Sequence, residues 1–514
     1  MVERALGRAE THRFRIELPA KHAALGVLMQ NGIDVALVTS DPSGKKLGEF
    51  DSPNGDKGPE PFLIESTVAG GYDLEVKPFV DPTPDGASAP EAGRYQLRLE
   101  EIVTTDVVAE RKAVERIASP RILEVWRHVR MGRRDAVEKF WADLKGKSPI
   151  VEPYPGEPKD VLVTFVMRSK EPYVALLGVM DFREKPMVRI GDSDLWYLTA
   201  RLPADARFDY GFLALDGPAD YRVPFRPERR PDQRWEKRQV DPNNGNLRFG
   251  FSRTELPGAP PQPWIAPKPD VPKGKITELK LDSTRLKESR RLGIYTPAGH
   301  DPKKRYPLVI VFDGEAYGLA AAAQIPLPTI LDNMIAAKKI PPVIAALVAN
   351  QGTRERDLPG SPAFSAFVAK ELVPKLRADY RAGLTPRETI VTGSSFGGLC
   401  SVYTAFHHPD AIGNVLSQSG SFQFIQGSIG KDITPLAEGG FLMREIAAAP
   451  KRRLRFYLDA GLFEDRLLES NRHMRDVLAA KGYPLTYAEF SGGHDYWIWR
   501  HTISDGLVAL LRAP

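Results

Sequence analysis

The chain has 514 residues, too many for one ordinary domain and enough for roughly three. With 42% hydrophobic residues, 27% charged residues and a net charge of +5, it has the make-up of a globular protein, and the charge excess is too small to argue for nucleic acid or a membrane surface as partner. The single cysteine, Cys400, excludes an internal disulfide framework, and no apolar run reaches the roughly 18 residues of a membrane span.

The first five residues, Met1-Val2-Glu3-Arg4-Ala5, carry no apolar targeting core. The expectation is a periplasmic or secreted protein whose signal peptide has been removed, with a cytoplasmic protein as the alternative. Residues 1–104 read as all-β. From His12 to Leu18 the side chains alternate, with Phe14, Ile16 and Leu18 on one face and Arg13, Arg15 and Glu17 on the other. Residues 32–38, 71–76 and 93–99 repeat the pattern, separated by turn clusters such as Asp41-Pro42-Ser43-Gly44. The segment resembles the pre-peptidase C-terminal type of β-sandwich, which implies a binding or stabilising appendage.

Residues 105–150 turn helical. Ile122, Val125, Trp126 and Val129 fall at helical spacing, as do Val137, Phe140, Trp141 and Leu144, and predict a connector with one apolar stripe. Residues 151–255 return to strands at 161–166, 194–199 and 208–212, which suggests a second, immunoglobulin-like sandwich. Residues 256–275 hold Pro257, Pro260, Pro261, Pro263, Pro267, Pro269 and Pro272 and read as a stiff linker. From 276 to 514 strands at 292–296, 307–312, 343–348, 388–392, 455–458 and 485–490 alternate with helical segments. Such alternation predicts a mostly parallel sheet covered by helices on both faces, with a cleft at the carboxyl ends of its strands. The expected architecture is thus multidomain: two β-sandwiches, then an α/β-hydrolase domain.

Within the last segment, Gly393-Ser394-Ser395-Phe396-Gly397 has Gly-x-Ser-x-Gly spacing between a β-branched strand and an apolar helix. That context predicts a nucleophile elbow with Ser395 at its tip. A serine needs a base to take its proton, and in this architecture the base follows it in the order Ser, acid, His. His494 lies in a Gly-Gly-His-Asp loop directly after the last strand and is the expected base. His473, in a helix, and His501, at the start of the terminal helix, read as surface residues. The acid belongs in the loop 459–465. Glu464 is the first choice, Asp465 the alternative, and Asp459 is placed at the strand's end. For the oxyanion, the backbone amides of Phe396 and of Glu315, in the loop after strand 307–312, are the candidates.

Around these residues a resemblance becomes specific. Phe312-Asp313-Gly314, the elbow with Gly398 and Leu399, Leu416-Ser417-Gln418-Ser419-Gly420-Ser421, and Gly492-Gly493-His494-Asp495 with Trp499-Arg500 resemble the esterase D branch of the α/β-hydrolases, and most of all the enterochelin (enterobactin) esterases. Asp194-Leu195-Trp196-Tyr197 and Asp241-Pro242-Asn243 resemble the N-terminal domain of those enzymes. The resemblance implies hydrolysis of the esters of a catecholate siderophore trilactone, or else of feruloyl or acetyl esters on plant polysaccharide, with no cofactor. It makes Arg356, Asp357, Trp499 and Arg500 candidates for substrate binding. One departure bears on substrate: where the family carries Arg-x-x-Glu-Leu followed by Asn, this chain has Arg354-Glu355-Arg356-Asp357-Leu358 and Ser361. A reading of another class is a non-catalytic binding protein on the same scaffold.

Two further segments stand out. Arg226 to Arg234, with Trp235, Lys237 and Arg238, is the most basic run; it reads as a solvated loop or as the rim of an anion-attracting cleft. Asp241-Pro242-Asn243-Asn244-Gly245-Asn246 lacks the ligand spacing of a calcium loop and reads as a turn. No metal-ligand spacing is present, so no metal is expected.

Overall fold

The structure is a computed structural model, and it describes residues 1–53, 55–79, 92–178, 184–218, 237–248, 250–425 and 440–511. The basic run from Arg226 to Trp235 lies outside the described residues. The chain forms two compact units, Met1–Glu124 and Val125–Pro514.

In the first unit, two four-stranded sheets share one core. One sheet runs in the order Val2–Gly7, Ala92–Thr104, His22–Asn31, Lys57–Glu65. The other runs His12–Leu18, Gly70–Pro78, Val35–Ser40, Lys46–Phe50, and every pairing in both sheets is antiparallel. Leu28, Phe62, Ile64 and Leu97 from the first sheet meet Val35, Leu37, Leu74 and Val76 from the second. The strand Lys57–Glu65 is not legible from its pattern, because Pro59 and Pro61 argue against a strand. It lies at a sheet edge, where a missing N–H leaves no partner unsatisfied.

In the second unit the helix Ala136–Leu144 buries Phe140, Trp141 and Leu144. A second pair of antiparallel sheets follows. Ile150–Pro153, Asp160–Arg168, Leu195–Pro203 and Val188–Arg189 form one; Lys185–Pro186, Tyr173–Leu177, Arg207–Leu215, Phe251–Glu255 and Leu247–Arg248 form the other. Phe165, Phe208 and Phe212 each stand edge to face with Tyr210 in their shared core. The Asp241 carboxylate accepts from Tyr210 Oη at 2.8 Å, Ser148 Oγ and the Asn243 amide, so the segment is a buried corner. The proline-rich stretch lies along the α/β part, where Asn333 Nδ2 donates to the carbonyls of Trp264 and Ala266.

Eight strands then build the principal sheet: β1 (Lys275–Ser283), β2 (Glu288–Thr296), β3 (Leu308–Val311), β4 (Ile344–Val348), β5 (Thr389–Ser394), β6 (Asn414–Gln418), β7 (Arg455–Gly461) and β8 (Leu485–Phe490). Their order is β1-β2-β4-β3-β5-β6-β7-β8. The first two strands join antiparallel, and from β4 to β8 every pair is parallel. Strands β3, β4, β5 and β6 are buried along their whole length, as helices covering both faces require. Strand β6 is short and ends in polar Ser417 and Gln418, so its sequence alone does not declare it a strand; parallel pairing on both sides buries those polar groups. Among the described residues no helix is long and apolar enough to cross a membrane, which says nothing of crossing by strands.

Candidate active site

The register of the parallel strands sets the site. Ser394 of β5 pairs with Gln418 of β6, Gln418 with Asp459 of β7, and Gly461 with Phe490 of β8. The residues that follow each strand therefore emerge along one edge. These are Ser395, Ser419, the loop 462–465 and the loop 491–495.

Ser395 sits between β5 and the helix Phe396–His407 with φ 59° and ψ −120°. A non-glycine residue held there stores backbone strain of about 1–3 kcal/mol, which persists only where its surroundings enforce it. They do: the Ser395 amide donates to Gln418 O at 2.9 Å, and its carbonyl accepts from the Ser421 amide at 3.1 Å. Gly393 is required at this bend, since a Cβ there would lie 2.8 Å from the Gly397 carbonyl carbon. The Ser395 hydroxyl lies 3.2 Å from that of Ser421.

His494 lies between β8 and the terminal helix Tyr496–Leu511, with its side chain 14% exposed. Its Nδ1 is 3.4 Å from Oε1 of Glu464, whose side chain is completely buried. A hydrogen bond holds that carboxylate: Ser419 Oγ donates to Glu464 Oε1 at 2.6 Å and itself accepts from Trp499 Nε1 at 2.9 Å. The Trp499 indole also stands edge-on to the His494 ring, with centroids 4.7 Å apart at 88°. A chain of contacts thus runs from Trp499 through Ser419 to Glu464 and back to His494. Asp465 is exposed, with φ 47°, and begins the helix Arg466–Ala480. Asp459 is not at the end of its strand but inside β7 and fully buried. Desolvation, with the nearby Glu464 charge adding to it, pushes its carboxyl up to about 8.

The other two histidines differ from each other. His473 is exposed. His501 does not begin the terminal helix but lies a turn and more inside it, half-buried, and burial lowers its pKa. Cys400 is buried in the elbow helix, where desolvation drives its thiol far above the usual range, so it behaves as a small apolar residue.

Phe396 and Glu315 each occupy the first position of a helical segment, Phe396–His407 and Glu315–Leu319, where an amide has no acceptor within its own helix. Gln418 ties the Glu315 segment to the terminal helix: its side chain accepts from Tyr317 Oη at 3.2 Å and donates to Trp499 O and Thr502 Oγ1. Beside Glu315 opens a cavity of about 330 Å³ lined by Asp313, Glu315, Asn350, Arg354 and Tyr496 among others. Asp313, itself at φ 57°, is held there by Arg354 at 2.7 and 3.1 Å.

The expected substrate contacts are distributed unevenly. Arg354, rather than Arg356, lines this cavity. Arg356 bridges Glu288 and Asp357, and Asp357 is buried against Arg290 at 2.7 Å. Trp499 is buried beside His494, whereas Arg500 donates to Gln262 of the proline-rich stretch at 2.7 Å. Ser419, Gln418 and Tyr496 are the site residues whose roles the sequence did not suggest. The pairing of Ser419 with the acid needs β6 and β7 side by side, which only the Leu416-to-Ser421 motif hinted at. Among the described residues no group of three or more His, Cys, Asp or Glu side chains gathers as a metal site.

Two family models match in tandem: "Enterochelin esterase, N-terminal" over residues 162–265 and "Putative esterase" over 283–510. The iron(III) enterobactin esterase of Escherichia coli K12 is 29% identical over 360 residues, spanning 66% of this chain and 86% of that one. The iron(III) salmochelin esterase of Escherichia coli O6:H1 is 26% identical over 395 residues, or 72% and 93% of the two chains. Among solved structures, the ferric enterobactin esterase of Salmonella typhimurium matches with TM-score 0.58 at 28% identity, over 73% of this chain and 98% of that one. The enterobactin esterase of Shigella flexneri, crystallised in the presence of enterobactin, matches with TM-score 0.56 at 27% identity, over 73% and 97%.

Proposed function

We propose that this chain, an enterochelin esterase-like member of the esterase family, is a serine carboxylic-ester hydrolase that cuts the trilactone of a ferric catecholate siderophore. The principal sheet is read as an α/β-hydrolase domain, and the pair of sheets before it as the immunoglobulin-like domain of that family. The observation that carries the chemistry is the strained Ser395 on the same sheet edge as a buried Glu464 lying 3.4 Å from His494.

In this reading His494 takes the Ser395 proton as Oγ bonds to the ester carbonyl carbon. The developing oxyanion is met by the Phe396 and Glu315 amides. Collapse breaks the ester C–O bond, and His494 returns the proton to the leaving alkoxide, the serine hydroxyl of the siderophore scaffold. Water, deprotonated by the same imidazole, then releases the acid and restores Ser395. Glu464 holds Nδ1–H, so that Nε2 is the free base, and stabilises the imidazolium. Iron enters only as part of the substrate, and each ester cut loosens the scaffold that presents its ligands.

The siderophore ester is favoured over a feruloyl or acetyl ester because the match to enterobactin esterases runs through the sheets before the hydrolase part, not only through the catalytic segment. Comparing kcat/KM for ferric enterobactin and methyl ferulate tests the substrate: a preference for methyl ferulate would assign the chain to the polysaccharide esterases. Ser395→Ala tests the chemistry, and unchanged hydrolysis of p-nitrophenyl butyrate by that variant would leave only a binding role.

A further inference from the structure

The loop that carries His494 is not held by the hydrolase part alone. The Arg207 amide donates to Ser491 O at 3.0 Å, and Arg207 pairs with Gly492 as an isolated parallel bridge, so the second pair of sheets reaches into the histidine loop. A Cβ on Gly492 would lie 2.9 Å from the Arg207 carbonyl oxygen, so the two backbones touch with no room for a side chain. The acid loop is drawn to the same place. The Phe463 amide donates to Gly492 O at 3.0 Å, and the Phe463 ring packs on the core formed by Phe165, Phe208 and Trp196. Glu464 directly follows Phe463, and His494 lies two residues after Gly492, so both stand close to a residue anchored to that domain.

Beyond His494 the anchoring is ionic and aromatic. Asp495 accepts from the Ile498 amide at 3.0 Å and so caps the start of the terminal helix. Its carboxyl is pushed up by burial and by Asp209, and pulled down by Arg253. Arg253, on the strand Phe251–Glu255, is 4% exposed; it meets Asp209 at 3.0 Å and lies over the Trp497 ring at 4.6 Å. Arg500 lies over that ring as well, at 3.8 Å. With Arg207 over the same ring at 5.8 Å, Trp497 is gripped by one cation from its own helix and two from the second pair of sheets, Arg253 the nearer of these.

We infer that Arg253, held by Asp209, is a positioning residue for the ester cleavage: it fixes Trp497, at the start of the terminal helix, and through it the loop that presents His494 to Ser395. This rests on the reading of His494 as the base. A planar guanidinium stacked on an indole and forked onto a carboxylate fixes orientation in a way that a lysine ammonium does not. The domain before the hydrolase part is then a structural half of the catalytic centre rather than a spacer. A displacement of about 1 Å in a catalytic group can cost on the order of a hundredfold in rate, so the effect falls on kcat rather than on substrate binding.

The test uses the full chain. Removing Arg253 alone would strand the buried Asp209, so the pair is replaced together by apolar residues, Asp209→Leu with Arg253→Met, beside Arg253→Lys. Hydrolysis of p-nitrophenyl butyrate and the rate of Ser395 labelling by a fluorophosphonate are measured, with His494→Ala as the floor and Arg455→Met as a control for burial. Arg455 bonds Asn414 and Leu510 O from the opposite end of the sheet. The double variant is expected to lose at least tenfold in kcat and in labelling rate with KM within twofold, Arg253→Lys to lose about threefold, and Arg455→Met to lose neither. If the double variant does not fold, Arg253→Lys decides by a drop in both rates beyond that of Arg455→Met. Full kcat and labelling in the Arg253 variants, with His494→Ala inactive, would overturn the inference alone. Activity in His494→Ala would instead overturn the reading of the base.

Discussion

Replacing Glu464 by glutamine keeps the shape of the side chain and removes its charge. The carboxylate is completely buried and its Oε1 lies 3.4 Å from His494 Nδ1. At an effective dielectric of about 20, a unit charge at that distance stabilises the imidazolium by about 5 kcal/mol, which is a ceiling because the charge on the ring is delocalised. At 1.36 kcal/mol per decade the ceiling is between three and four decades in rate. Ser419 Oγ still has an oxygen to donate to, so the loop itself is expected to hold. The expected outcome is a loss of about a thousandfold in kcat with KM changed little, since an acid that stabilises only the charged imidazole acts in the transition state. Steady-state hydrolysis of p-nitrophenyl butyrate, corrected by active-site titration, measures it. Asp465→Asn, at an exposed position, is expected to stay within a factor of about two of the parent. A Glu464→Gln enzyme that keeps more than a tenth of its kcat, or an Asp465→Asn enzyme that loses more, would refute the reasoning.

Trp499→Phe deletes the indole N–H that orients Ser419 while leaving a ring beside His494; one such hydrogen bond is worth about 1 kcal/mol, so kcat should fall about fivefold with little change in melting temperature. Asp459 is held protonated by burial, with a carboxyl pushed up from 3.8 to about 8. The folded state therefore binds a proton that the unfolded state releases, and this contribution to stability is full below pH 3.8 and is lost as the pH rises through 8. Asp459→Asn should remove that part of the decline, seen as a flatter melting temperature between those limits; an unchanged profile would show that the carboxyl is not neutral. Arg354→Met leaves Asp313, 3% exposed, without its cation; unfolding by urea should show a loss of about 3 kcal/mol, and kcat should fall as the loop bearing Glu315 shifts.

The positions of Ser395, Glu464 and His494 on one sheet edge were legible because each sits at a punctuation mark: a glycine-flanked turn, a glycine-led loop and a Gly-Gly-His loop, each after a strand. Strand β6 and the strand Lys57–Glu65 were not, the first for its polar end and the second for its prolines. Ser419 was passed over because its value lies in two bonds to residues 45 and 80 positions away. No local pattern encodes such bonds.

By itself the sequence determined the order of the parts and the chemistry on offer. Periodicity and turn residues are properties of neighbouring positions, and they are enough to place a serine, an acid and a histidine each after a strand. Tertiary structure alone decided which acid faces the histidine: Glu464 is turned inward onto Ser419, while Asp465, one residue on, is turned out to solvent. It also decided that, far upstream in the chain, Arg207 reaches the histidine loop and Arg253 reaches Trp497 at the start of the helix after it. Both follow from the packing of whole sheets, which sets side-chain partners by distance in space rather than along the chain.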